Sequence, residues 1–275
     1  MRTPDGALQR WRDDLAAWAI PQRILDQAPA SPWTTERAIF VRRAVARRTE
    51  PGGISYDRAR EALPLGGSVL DVGAGAGAAS LPLLDRASAL IAVDQDAQLL
   101  AELMTQAGDA GRKVTTVVGS WPAVAADVAA VDVVVCHHVL YNVPDLKPFI
   151  DALDAHARRR VVIEITAAHP VARLNPLWER FHGLHRPTRP TWEDALRTIR
   201  AIRDGVHAEP ERRAADTAAG SWDDLVGFTC RRLCLPPARH DEVAAALIEQ
   251  GALPTDPSTW SGTNRDVVTL WWDRS

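Results

Sequence analysis

The 275-residue sequence predicts an α/β fold: a doubly wound, mostly parallel seven-stranded sheet with a helical extension in front and a lid insertion after the fifth strand. Three observations carry this expectation. From Ser68 onward, short runs rich in Val, Ile and Leu alternate with helical stretches, the pattern of a parallel sheet covered on both faces. The first 65 residues show helical periodicity only. After Thr166 the alternation stops, and a segment containing His169, Pro170, Trp178, Phe181, His182 and Pro187 intervenes. The expected organisation is therefore a helical cap over 1–65 and a ligand-binding α/β domain over 66–275, with a lid at 167–190.

The elements follow in order. Thr3 and Pro4 make an N-cap and first-turn pair, after which Leu8, Trp11, Leu15 and Trp18 recur at helical spacing until Pro21. Further helices are expected at 34–48 and 55–63. Strands are predicted at 68–72, 89–94, 113–118, 131–136 and 160–165, with helices at 77–85, 96–108, 122–129 and 145–157 between them. Asn175 and Pro176 cap a short helix through Phe181. Thr191 to Asp194 reads as a capping box for a helix closed by Gly205, and Ser221 to Asp224 as another for a helix to about Leu235. A strand at 207–212, a helix at 238–250 and a last strand at 266–272 complete the chain.

The most informative stretch is Val69 to Ser80, VLDVGAGAGAAS. A strand leads into Gly73, Gly75 and Gly77 on alternate positions, where the missing Cβ atoms let the backbone turn sharply and approach a ligand. Gly73-x-Gly75-x-x-Ala78 also satisfies the dinucleotide fingerprint. Asp71 separates the two readings. A carboxylate beside the loop repels a doubly charged pyrophosphate but suits a ligand bearing an ammonium and a sulfonium, so S-adenosylmethionine (SAM) is favoured over NAD. Asp94, followed by Gln95, ends the second strand about 20 residues on, where a carboxylate accepts the ribose hydroxyls.

With Asp71-Val-Gly73-Ala-Gly75-Ala-Gly77 and Asp94 so placed, residues 66–272 resemble the class I SAM-dependent methyltransferases, and within them actinobacterial methyltransferase-domain proteins. The resemblance implies that Asp71 and the glycines hold the methionine part of SAM, that Asp94 holds the ribose, and that the last strand inserts antiparallel between strands five and six. The chain departs from the family after strand three, where an acidic pair is replaced by Gly119-Ser120-Trp121. Ser120 can still accept a hydrogen bond. Trp121 is placed either to stack on adenine or to pack on the sheet.

Methyl transfer needs a nucleophile aligned with the methyl group and, for many acceptors, a base. Strand four runs into Cys136-His137-His138-Val139-Leu140-Tyr141, so His137, His138 and Tyr141 are the catalytic candidates, with His137 also near the cofactor. The lid supplies His169, Trp178, Phe181 and His182 as rings over the acceptor, and Trp33 and Phe40 could close the other side. Glu164 either faces the site or pairs with an arginine. His182-x-x-His185 lacks a matching second ligand pair, and no metal is expected.

Charge and composition narrow the function. Thirty-two basic against 35 acidic residues give a net charge of -3, too little field for nonspecific nucleic-acid binding. No Asn-Pro-Pro-Tyr type tetrad follows strand four, which counts against DNA. Three cysteines without framework spacing, no signal-peptide pattern and no long apolar run lead to the expectation of a cytoplasmic protein without a membrane segment. The expected acceptor is a small metabolite or natural-product intermediate. Arg37, Arg42, Arg43, Arg47 and Arg48 cluster on one predicted helix and keep an RNA acceptor open. The glycine loop is also compatible with a SAM-binding protein that lacks catalysis and, less well because of Asp71, with a nicotinamide oxidoreductase.

Overall fold

The computed structural model describes residues 4–34, 36–108, 112–214, 220–262 and 264–274. Its strands are β1 (Gly67–Val72), β2 (Ala87–Asp94), β3 (Lys113–Val118), β4 (Val131–His137), β5 (Ala157–Thr166), β6 (His207–Arg213) and β7 (Arg265–Asp273). They form one sheet in the order β3-β2-β1-β4-β5-β7-β6. The pairings from β3 through β5 are parallel, and β7 runs antiparallel between β5 and β6. The last strand thus inserts where the resemblance placed it. The chain reverses its winding between β1 and β4, and the crevice beyond the carboxyl ends of those strands is where such sheets bind ligands.

Strand alternation assigns each side chain to a face. Leu70, Val72, Val134, Cys136, Val161, Ile163 and Ile165 enter a core covered by α1 (Pro4–Ala16), α6 (Leu146–His156) and α8 (Trp192–Arg200). Val69, Leu90, Val133, Val135 and Val162 enter a second core, under α3 (Arg37–Thr49), α4 (Ile54–Ala62) and α5 (Ala97–Ala107). Asp71 is opposite Val135, and His137 is opposite Glu164. The period of two therefore sends Asp71, His137 and Glu164 toward the second face, near its carboxyl end.

A third cluster joins α2 (Gln22–Leu25), α7 (Asn175–His182), α9 (Trp222–Arg232) and α10 (His240–Glu249) around Ile24, Leu177, Trp178, Val226 and Leu247. The first 65 residues are divided among all three clusters, with α1 on one face of the sheet, α3 and α4 on the other, and α2 in the third. The 167–190 segment is anchored by Trp178, which is 2% exposed. Further ties are the His169 ring stacked on Trp18, at 3.9 Å between centroids, and a hydrogen bond between the His182 ring and the Leu233 carbonyl.

Several elements differ from expectation. The helix predicted at 77–85 is a run of turns and a short 3-10 helix, Leu81–Asp85, because the glycine loop carries left-handed backbone through Gly77, at φ +91°. Residues 122–129 form turns around the 3-10 helix Ala125–Asp127, a stretch with Pro122 at its start and no apolar stripe of helical period. The second helix starts at Arg37 rather than residue 34, and α2 had no sequence signal. Asn175 begins α7 but does not cap it, since its amide donates to the Pro187 carbonyl at 2.7 Å. Both capping boxes are formed, at Thr191/Asp194 and Ser221/Asp224. Thr3 lies outside the described residues. Among those residues no helix is long and apolar enough to cross a membrane.

Candidate active site

The loop after β1 is fixed from below and from the side. Gly73 and Ala74 donate to the Val93 carbonyl at 2.9 and 3.0 Å, locking the turn onto β2. Gly73 has φ +72°, and a Cβ there would stand 2.3 Å from Val139 Cγ2, so no larger residue fits without moving the loop after β4. Gly77 is closed in the same way by Leu81 and Leu103. At Gly75 a Cβ would meet only the Phe40 ring, at 3.7 Å, which shows that α3 lies over the loop.

Asp71 is fully buried beneath this loop, and neither of its carboxylate oxygens has a hydrogen-bond partner. Burial pushes its pKa up to about 7; nearby Ser80 opposes the rise and Asp94 adds to it. An orphaned buried carboxylate is costly to fold, and a ligand cation is the chemistry that satisfies it. Asp94 is half-buried. Its Oδ2 accepts from the Gly75 amide at 2.8 Å and its Oδ1 from the Asp96 amide at 2.9 Å, which aims the carboxylate across the loop with lone pairs remaining for hydroxyls. Gln95 is exposed beside it. Asp96, which sequence reasoning passed over, caps α5 through Gln98 and Leu99 and pairs with Arg37 at 2.8 Å, tying α3 to the loop. An acidic residue just before a helical run was the available signal.

Beyond the loop, three elements converge on Glu164 of β5, which is 2% exposed. Ser55 Oγ of α4 donates to it at 2.6 Å, and Arg213 at the end of β6 binds it with two nitrogens, each at 2.7 Å. His138 Nε2 stands 3.1 Å from Oε1, and the His138 amide donates to the Glu164 carbonyl at 2.7 Å. Burial alone would raise the Glu164 carboxyl, but His138, His137 and Arg213 hold it well below the ordinary range, so it is ionised. His138 has φ +60°, a left-handed backbone unusual for a residue with a side chain and typical of strained functional positions. His137 is different: its Nε2 is buried without a partner, and burial lowers its pKa to about 4, leaving it neutral at pH 7. These residues, with Tyr56, Ala78, Ala79, Arg43 and Arg47, enclose a cavity of about 70 Å³, room for a few waters or one small functional group.

Two site candidates take packing positions instead. The Tyr141 hydroxyl donates to the Thr166 carbonyl at 2.9 Å, its ring lies against Trp11 and His169, and it does not line the cavity. The Trp121 ring is in the first core, edge-on to His156, with its indole nitrogen 3.4 Å from the Phe149 carbonyl, so Trp121 packs on the sheet. Ser120 is exposed at the end of β3, where the neighbouring Gly119 amide binds the Asp94 carbonyl. Trp33 is 54% exposed, and Trp178, Phe181 and His182 belong to the third cluster rather than the cavity wall. Sequence reasoning missed Ser55, Arg213 and Arg265. Charged residues at the end of β6 and the start of β7 were the only trace of the arginines.

Residues 69–159 match a family model described as a methyltransferase domain. Over that third of the chain the sequence is similar to methyltransferase domains. The matched residues span the loop, both strand-end aspartates and the histidine pair. Over 80% of its length the chain shares its fold with the YcgJ protein of Bacillus subtilis, at 13% identity and a TM-score of 0.53, covering 97% of that protein. It is likewise similar to a cyclopropane-fatty-acyl-phospholipid synthase-like protein of Lactobacillus casei, at 16% identity and a TM-score of 0.54, covering 92% and 98%. No curated protein matches the chain in sequence. The matched segment thus has the orphaned Asp71 carboxylate beneath the glycine loop and a histidine-bearing cavity beyond it.

Proposed function

We propose that the chain transfers a methyl group from SAM to a small-molecule acceptor whose reacting atom lies in the cavity beside His138. The observation that carries this reading is the orphaned Asp71 under the glycine loop, next to a cavity floored by the His138 and Glu164 pair. SAM, when bound, supplies an electrophilic methyl group on a sulfonium. Asp71 would neutralise the ammonium, Gly73, Gly75 and Gly77 would let the backbone approach, and Asp94 with Gln95 would receive the ribose. Ser120 is the remaining polar side chain for the adenine edge.

His138 is the base in this reading. Glu164 engages Nε2, which leaves Nδ1 to take the acceptor's proton, and the ionised Glu164 stabilises the imidazolium that forms. His137 stays neutral and positions a ligand through its buried Nε2.

An RNA acceptor would be served by a continuous basic face on α3. Instead Arg43 and Arg47 line the cavity, Arg37 pairs with Asp96 and Arg48 donates to the Gln106 carbonyl, which favours a small molecule. The accessible cavity likewise supports catalysis over cofactor binding alone. Calorimetry with S-adenosylhomocysteine (SAH) and with NAD tests the cofactor assignment, and NAD binding without SAH binding would sink it. Incubation of labelled SAM with cell extract, scoring metabolite, RNA and protein separately, tests the acceptor class.

A further inference from the structure

The state of His138 depends on Glu164, and Glu164 is itself held from two further directions. A carboxylate offers about four acceptor sites. Here Oε1 accepts from Arg213 Nη1 at 2.7 Å and faces His138 Nε2 at 3.1 Å, while Oε2 accepts from Arg213 Nη2 at 2.7 Å and from Ser55 Oγ at 2.6 Å. An ionised carboxylate can only accept, so the ring nitrogen that faces it carries the proton. The neutral imidazole is thereby confined to the Nε2–H tautomer, with its lone pair on Nδ1.

Arg213 is held in turn. Its Nη2 also donates to Glu211 Oε2 at 3.0 Å, and the same oxygen accepts from the Ile54 amide at the start of α4, at 3.2 Å. Gly53, at φ +95°, closes over this contact, since a Cβ there would stand 2.7 Å from Arg213 Nη2. One line of contacts therefore runs from the start of α4 through Glu211 and Arg213 to Glu164 and His138. Reaching both oxygens of one carboxylate and one of another takes the planar fork of a guanidinium, which a lysine ammonium does not reproduce.

We infer that Arg213 is a positioning residue for methyl transfer: with Ser55 it keeps Glu164 ionised and aimed, so that His138 meets the acceptor as a neutral base in a single tautomer. This rests on the reading of His138 as the base. The other titratable groups around the cavity, among the described residues, are neutral His137 of β4, Tyr56 of α4, Arg43 and Arg47 of α3 and Arg265 of β7. All of them stay in place when Arg213 is replaced, so the change is the loss of one cation beside the Glu164 and His138 pair. The pair then holds a proton more tightly, whichever partner carries it, and a neutral ring beside an ionised carboxylate survives only at higher pH.

The test uses the full chain labelled with 15N in its histidines and observed by NMR, with the His138 signals identified by their loss in His138→Gln. The wild-type ring should be the Nε2–H tautomer when neutral. Arg213→Gln should move its titration midpoint up by about one pH unit or more, as loss of an adjacent opposite charge to the carboxylate does. Arg213→Lys, which keeps the charge without the fork, should return the midpoint toward the wild-type value. Ser55→Ala should move it up by less. The His182 ring, bound to the Leu233 carbonyl far along the chain, is the reference, and its unchanged signals show that each variant is folded. In parallel, transfer of label from SAM into the metabolite pool of a cell extract is followed against pH, and its acid limb should move with the His138 midpoint. A wild-type ring in the Nδ1–H tautomer overturns the inference, as does a midpoint that Arg213→Gln leaves in place. If Arg213→Gln does not fold, Ser55→Ala decides in the same way, an upward shift supporting the inference and no shift overturning it. A midpoint that moves while the acid limb of methyl transfer stays fixed overturns instead the reading of His138 as the base.

Discussion

Asp71→Asn tests the cofactor side most directly, because the buried carboxylate makes opposite contributions to folding and to binding. Burial moves its pKa from the ordinary carboxylate range to about 7, a shift of about three units, each worth roughly 1.4 kcal/mol. Between about pH 4 and pH 7 the folded state holds a proton that the unfolded chain has released. Stability of the ligand-free protein therefore falls as pH rises through that window and levels off above it, by about 4 kcal/mol in total. Asparagine removes this titration but buries an amide whose unmet donors cost about 1–3 kcal/mol. Urea unfolding followed by the fluorescence of the ten tryptophans should show the variant gaining on wild type as pH rises from 4.5 to 8. SAH affinity of the wild type should rise about 100-fold between pH 5 and pH 8, because only the ionised carboxylate pairs with an ammonium, while the variant should bind weakly and with little pH dependence over that range. A stability difference between variant and wild type that does not change with pH would refute the reasoning, as would SAH binding unaffected by the substitution.

Other outcomes follow from the remaining geometry. Asp94→Ala should weaken SAH at least tenfold by calorimetry with the fold retained, since the carboxylate holds the Gly75 and Asp96 amides as well as any ribose. His138→Ala should lower kcat about 100-fold or more with little change in SAH affinity, as loss of a general base does. Glu164→Gln should lower kcat too, and should destabilise the protein in urea unfolding by leaving the partly buried Arg213 with Glu211 as its remaining carboxylate partner. His137 and His169 are both pulled to about 4 by burial, so the unfolded chain takes up their protons below about pH 6.5 while the folded state does not. That contribution is complete above pH 6.5 and lost as pH falls toward 4. Asp71 opposes it in the same window, so Asp71→Asn should make unfolding take up one further proton near pH 5.5.

The sheet was legible because its signal is local. Runs such as Lys113–Val118 and Val131–His137 carry their own apolar texture, and the structure keeps their bounds to within a residue. Asp71, the glycines and Asp94 were legible for the same reason, since a strand, a turn and a strand end fix them within 24 residues. The helix after the loop was not, because three glycines with positive φ decide the backbone there against the alanine-rich composition that suggests a helix. Trp121 left two readings that only the position of α6 could separate. The Glu164 cluster was out of reach for a different reason. Its contacts join residues 109 and 49 positions apart, and no window of sequence contains both ends.

That cluster is hard to explain as a stabilising device. A buried ion pair gains little over apolar packing, and β5 already packs well with Val162, Ile163 and Ile165 on either side of Glu164. What the carboxylate does beyond pairing is local: its residue holds His138 by both backbone amide and ring, at a left-handed φ that a free loop would avoid. The arrangement makes sense if the orientation of His138 is the property being maintained. It also links charge to geometry, because the Arg213 that fixes Glu164 stands opposite Arg265 across the ladder, in the same wall as Arg43 and Arg47. The side chains that fix the orientation of His138 are therefore the same ones that set the charge of the cavity wall, so a change to Arg213 would disturb both together.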